Sequence, residues 1–286
     1  MVPEGFIVHG LLLPATIVGL ALAVGWWRPA RPLRWLGALA VAVAWALGFR
    51  ESNGSWPEFP PGRATEMLFY IGLAGGLMCA SESLRSAGRG PTPALARLPL
   101  AVVAPWLLLR NLVERWELGE AVWQLGGAAL FVWGTWTAFE VVSRRRSGFL
   151  VPLLLWLVVS AGAVAFVTTG SALYAQLAGT LAGLFGAAIA VSLVRRELSL
   201  AHGMAGAVGI IFACLCVGAT HFSKLPVGAG VLLGLAPFAV LLGGKLEGGL
   251  NAKRVLVRVA LIAVPLGVAL YLAHLAAPPP NPYSGY

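Results

Sequence analysis

Ten apolar blocks of fifteen to twenty-four residues, separated by short polar connections, account for nearly all of this chain. At 1.5 Å per residue a helix of this size matches a hydrocarbon core of about 30 Å. None of the blocks shows the strict period-two alternation of a barrel strand. A backbone inside lipid has to satisfy its own hydrogen bonds, so each block reads as a helix. The blocks are Phe6–Trp27, Leu33–Phe49, Glu66–Ala80, Ala94–Val113, Ala121–Val142, Phe149–Thr168, Ser171–Val194, His202–His221, Pro226–Gly243 and Val255–Leu275. The expectation is an all-α, polytopic integral membrane helix bundle: one transmembrane domain over residues 1–277 and a Pro-rich tail at 278–286. Glu4 and no basic residue precede the first block, and no small-residue cleavage site follows it. It therefore reads as a retained span and not as a signal peptide.

Composition excludes the main alternative. Only 11% of residues are charged against 59% hydrophobic, where a soluble domain carries about 25% charged residues. The net charge of +9 would suggest nucleic acid if it lay on one surface, but its placement says otherwise. Arg50, Arg63, Arg110, Arg115 and Lys224 flank the even-numbered connections, and the other fifteen of the twenty cations flank the odd-numbered ones. Under the positive-inside rule the odd connections are cytoplasmic and both termini face outward, across a bacterial inner membrane. The arginine clusters then meet anionic lipid headgroups, and no nucleic-acid partner is expected.

The midpoint cluster Arg144–Arg146 leaves five blocks on either side, in halves 1–143 and 149–277. Two such halves would run in opposite directions, as the inverted repeats of secondary transporters do. Pro105 and Pro237 fall at matching depths in the fourth block of each half. Ten of the eleven Trp and nine of the eleven acidic residues precede Arg144, an asymmetry that a recent duplication would not leave.

Ser171–Ala190 carries the strongest internal pattern. Ser171, Ala175, Gly179, Gly183 and Ala187 form one i,i+4 stripe, with Ala178, Ala182, Gly186 and Ala190 beside it. Small faces let membrane helices approach closely, so this block is expected to be the central helix, packed through Gly179, Gly183 and Gly186. Leu181, on the other face, is expected to meet lipid.

Candidate chemistry is sparse. The chain has no Asp, and HExxH, GxSxG and P-loop patterns are absent. Cys79, Cys214 and Cys216 lie in apolar runs without metal-type spacing and read as buried thiols. His9, His221 and His274 fall at the outward ends of their blocks; three imidazoles at one level are a weak metal or haem candidate, and ordinary interfacial histidines otherwise. No cofactor is expected. Glu140 lies inside a block, four residues from Arg144, where an i,i+4 ion pair accounts for it. The outward connections gather Arg50, Glu66 and Arg110 beside a proline-rich loop; with Gln176 and Thr180 they form the candidate site for a small solute. Glu66, at a helix start, is either a cap or a gate. These features fit a small-solute carrier, a non-transporting subunit or scaffold bound to a membrane protein partner, or an intramembrane enzyme. A carrier needs a polar cavity, and a scaffold a solid bundle with an exposed aromatic flank.

Overall fold

The computed structural model describes residues 6–27, 33–85, 95–144, 148–201, 203–242 and 252–278. Within them the chain forms ten helices of thirteen residues or more. A π-helical turn, Phe6–Leu12, runs into α1 (Leu13–Gly25); α2 is Arg34–Asn53, α3 Ala64–Arg85, α4 Leu98–Val113 and α5 Leu118–Arg144. Then come α6 (Leu150–Thr168), α7 (Ala172–Val194), α8 (Met204–Phe222), α9 (Val227–Leu242) and α10 (Ala252–Leu275). Seven of these helices contain a stretch long and apolar enough to cross a membrane. Of the other three, α4 and α9 are apolar but shorter, and α2 carries Arg34, Arg50 and Glu51 at its ends. The tail from 279 on lies outside the described residues.

Local chemistry sets several boundaries. Ser171 caps α7 by accepting from the Tyr174 backbone N–H, and the preceding turn is made by Gly170 at φ +91°, where a Cβ is disfavoured. α2 closes the same way, on Gly54 at φ 76°, whose N–H reaches the Arg50 carbonyl. Both α2 and α3 run past the expected ends at Phe49 and Ala80, to Asn53 and Arg85. Hydropathy marks where lipid ends, whereas Arg, Glu and Ser continue the hydrogen-bonded spiral into the interface.

Contacts between connections sort the helix ends into two groups. At one end Gly148 N–H donates to the Leu198 carbonyl, joining the α5–α6 and α7–α8 connections. Arg195 lies over Trp27 there, joining the ends of α7 and α1. At the opposite end Arg110 of α4 bonds the α2–α3 loop, and Trp116 of the α4–α5 turn meets His221 of α8. These described connections thus fall at alternate ends of the bundle, and Arg144, Arg195 and Arg196 flank the end that holds the α5–α6 and α7–α8 connections.

The centre is α8, a correction to the expectation for α7. Every residue of α8 from Met204 to Ala219 is buried, and seven other helices pack around it. Close packing comes from glycine notches filled by large side chains. Trp136 and Cys79 stand over Gly206, Phe139 over Gly209 and Tyr174 over Gly218. In return α8 puts Ile210 over Gly75 of α3 and Phe212 over Gly162 of α6.

The glycines of the small stripe of α7 are not where it packs most closely. A Cβ at Gly179 or Gly186 would meet nothing within 4 Å, and among the three expected packing glycines only Gly183 has a neighbour, Leu11. Leu177, Leu181, Leu184 and Phe185 of α7 are fully buried, together with the smaller Ala178, Thr180 and Ala188. Packing volume is supplied by leucine and phenylalanine against notches on other helices, so α7 turns its bulky side inward. Helix pairing does not repeat with a period of five either. Among the described residues α2 lies along α3 while α7 barely touches α8, and α7 packs on α1 while α6 has no comparable packing on α2.

Candidate functional site

Three ionised side chains lie inside the bundle near its basic end. Arg97, at the start of α4, is 2% exposed and meets Glu82 of α3, itself 11% exposed. The guanidinium is a fork on this carboxylate: Nε donates to Oε1 at 3.0 Å and Nη2 donates to Oε2. Its Cζ also stands 5.0 Å from the ring centre of Trp136 on α5. One turn on, Glu140 is 2% exposed and accepts from Arg144 Nε at 3.0 Å. The expected i,i+4 pair is therefore present, but its carboxylate is buried among helices, not set at an open interface.

These groups converge on bare backbone. The Cβ position of Gly206 on α8 is 3.0 Å from Trp136 Nε1, 3.1 Å from Cys79 Sγ and 3.3 Å from Glu140 Oε2. A larger residue there would push the cluster away from α8. The cluster holds two carboxylates and two guanidinium groups, so its net charge is zero. It joins α3, α4 and α5 over the notch in α8. Ionised groups at such positions are costly and persist where they are paired.

The residues expected to bind a solute fall into two separate places. Glu66 Oε2 accepts from the Gly62 and Arg63 backbone N–H groups at 2.8 Å and 3.1 Å, closing the start of α3 over its own preceding loop. Arg110 Nη2 donates to the Pro61 carbonyl at 2.8 Å and so holds the same loop, while Arg50 lies over Trp56. Among the described residues Glu66 has no ion pair with Arg50 or Arg110. Thr180 is elsewhere: buried in α7, it donates to the Gly10 carbonyl of the π-helical turn and packs into the Gly48 notch of α2. Gln176, one turn before it, is half-buried, and its backbone carbonyl accepts from the same hydroxyl. Thr180 locks three helices together and does not line a cavity with Glu66.

The histidines do not assemble. No group of three His, Cys or Glu side chains placed to hold a metal occurs among the described residues. His9 and His274 are exposed, whereas His221 is half-buried with its Nδ1 3.0 Å from the Val217 carbonyl. His221 instead belongs to a lateral groove of about 270 Å³ between α5, α8 and α9. Sequence reasoning missed this groove, and also Glu82 and Arg97, of which only Arg97 entered the reading, as one of the cations flanking an odd connection. A signal was there: the two bracket one connection, and Pro91 and Pro93 between them forbid a continuous helix from α3 into α4.

No protein-family model matches the chain, and no curated protein is significantly similar to it.

Proposed function

We propose that the chain is a non-transporting membrane subunit or scaffold, ten-spanning in a bacterial inner membrane, which works through its outer surfaces. In this reading both termini face outward, and the basic end lies in the cytoplasm against anionic headgroups. The observation that carries the reading is the solid centre. α8 is buried from Met204 to Ala219, and its glycine notches are occupied by Trp136, Phe139 and Tyr174. A partner surface fits the exposed aromatics Trp106 and Trp123 on the neighbouring helices α4 and α5. A second reading, a small-solute carrier, is favoured by the buried Arg97, Glu82 and Glu140.

Native thiols separate the two. Cys79 and Cys214 are buried at the centre of the bundle, and Cys216, which touches the lateral groove, is replaced by Ala. In native membranes N-ethylmaleimide should leave both remaining thiols unmodified over an hour and label them fully after denaturation. Labelling of Cys79 or Cys214 in the folded protein would mean that the core opens to water, which would overturn the scaffold reading in favour of the carrier.

A further inference from the structure

The groove between α5, α8 and α9 has an ordered chemistry from end to interior. α8 runs towards the opposite end and α5 runs away from it, so Gln124, Thr220 and His221 sit near the surface while Ala128, Phe131 and Cys216 lie deeper. From Trp123 to Phe131 the depth is about 12 Å at 1.5 Å per residue. The slot exists because two facing helices lack side chains there. A Cβ on Gly127 would meet nothing within 4 Å, and one on Gly230 would meet only Thr220 Oγ1 and Leu225 Cδ2. Phe131 closes the inner end by lying in the Gly234 notch. Trp123, 80% exposed, makes a side wall facing lipid.

We propose that this groove binds an uncharged amphiphile, a hydrocarbon chain bearing a carbonyl or hydroxyl head, that enters sideways from the membrane. The polar groups match such a head. With its proton on Nδ1, His221 donates to the Val217 carbonyl and presents Nε2 as an acceptor. Thr220 donates its hydroxyl hydrogen to the Cys216 carbonyl at 2.9 Å, leaving oxygen lone pairs to accept. Gln124 has an amide that donates and accepts, and it makes no hydrogen bond to another described residue. A carbonyl is served by the Gln124 amide N–H, and a hydroxyl by His221 or Thr220. An anionic phosphate head fits less well: Glu114, Glu117 and Glu120 on the neighbouring turn outnumber Arg115, and Lys224 is the one cation directly after α8. The apolar interior takes the chain, as in cavities that fix an apolar body with a few polar groups. This inference goes beyond the scaffold reading, and holds whichever side the groove end faces and whether or not the core opens.

The test uses the full chain in lipid nanodiscs and a diacylglycerol probe with a photoreactive diazirine and an alkyne on one acyl chain. Cross-links should concentrate on segments 123–131 and 216–231. An excess of dioctanoylglycerol or of decylubiquinone should displace the probe, and the more effective of the two identifies the natural source of the head chemistry. Phosphatidylglycerol should not displace it. Gly127→Leu fills the slot without meeting a neighbour and should cut labelling about tenfold, as losing 1.4 kcal/mol of binding would. Gly126→Leu, also facing open space but outside the groove, should leave labelling unchanged. Gln124→Leu keeps the slot and loses the head contact, so it should weaken labelling several-fold. Equal labelling of the two leucine variants, cross-links spread over all lipid-facing helices, or equal displacement by phosphatidylglycerol would overturn the proposal.

Discussion

Replacing Arg97 should destabilise the bundle more than any other single change in the ionic cluster. At about 3 Å and an effective dielectric constant of about 20, the attraction to Glu82 is about 5 kcal/mol, mostly offset by desolvation. Arg97→Gln leaves the Glu82 carboxylate behind at 11% exposure, and removing one partner of a buried pair costs about 3–5 kcal/mol. It also takes a positive charge from the neighbourhood of Glu140 and the cation from the face of Trp136. Glu82→Gln should cost less, because Arg97 keeps both of those neighbours. The double change Arg97→Gln/Glu82→Gln leaves no stranded charge from the pair and should lie within about 2 kcal/mol of wild type, the residue being the lost cation–π contact. Reversible unfolding in mixed micelles titrated with sodium dodecyl sulphate measures all four proteins. A cost below about 1 kcal/mol for Arg97→Gln would mean that the pair is solvated. A double variant less stable than Arg97→Gln would mean that the pair itself holds the helices. Either result would refute the reasoning.

On α7 the order of sensitivity should follow burial: Leu181→Ala should lose about 2 kcal/mol or more, and Gly179→Leu should lose little, both read by the same unfolding assay. Gly72→Ala would drive a Cβ into the Trp45 indole at Nε1 and should cost about 1–3 kcal/mol as α2 and α3 are forced apart, whereas Gly119→Ala, with nothing within 4 Å, should be neutral. Glu66→Gln retains an acceptor oxygen for the Gly62 and Arg63 N–H groups and should leave the loop intact, while Glu66→Ala should make the 54–63 loop a faster target for limited proteolysis. With Ser55→Cys and Glu197→Cys, at opposite ends, an impermeant thiol reagent on intact cells should label the first and spare the second; the reverse would invert the proposed orientation.

The helix positions were legible because lipid imposes one rule on every span, and apolar length reports it directly. Boundaries were less so: α2 and α3 extend into polar sequence, where hydropathy falls before the helical hydrogen bonding does. Glu140 and Arg144 were readable as a pair because i,i+4 spacing is local. Glu82 and Arg97 meet across a connection, and only tertiary packing brings a flanking arginine 2% exposed into the bundle. Glu66 has the position of a cap and is one. The contacts of Thr180 were not legible, because nothing in its own helix reveals that Gly10 and Gly48 lie opposite.

The exchange of roles between α7 and α8 follows from what a glycine stripe encodes. A stripe says that a backbone can be approached, but not by what, and a Cβ at Gly179 or Gly186 would meet nothing within 4 Å among the described residues. In α8 Ala205, Gly209 and Ala213 form one i,i+4 stripe with Gly206 beside it, and Ala207, Gly218 and Ala219 put further small positions on its other sides. A helix packed by seven others among the described residues needs notches on several sides, and here Gly206 and Gly209 take Trp136 and Phe139 of α5 while Gly218 takes Tyr174 of α7. α7 has two unlike sides, with Leu177, Leu181 and Leu184 against the core and Gly179 and Gly186 facing open space.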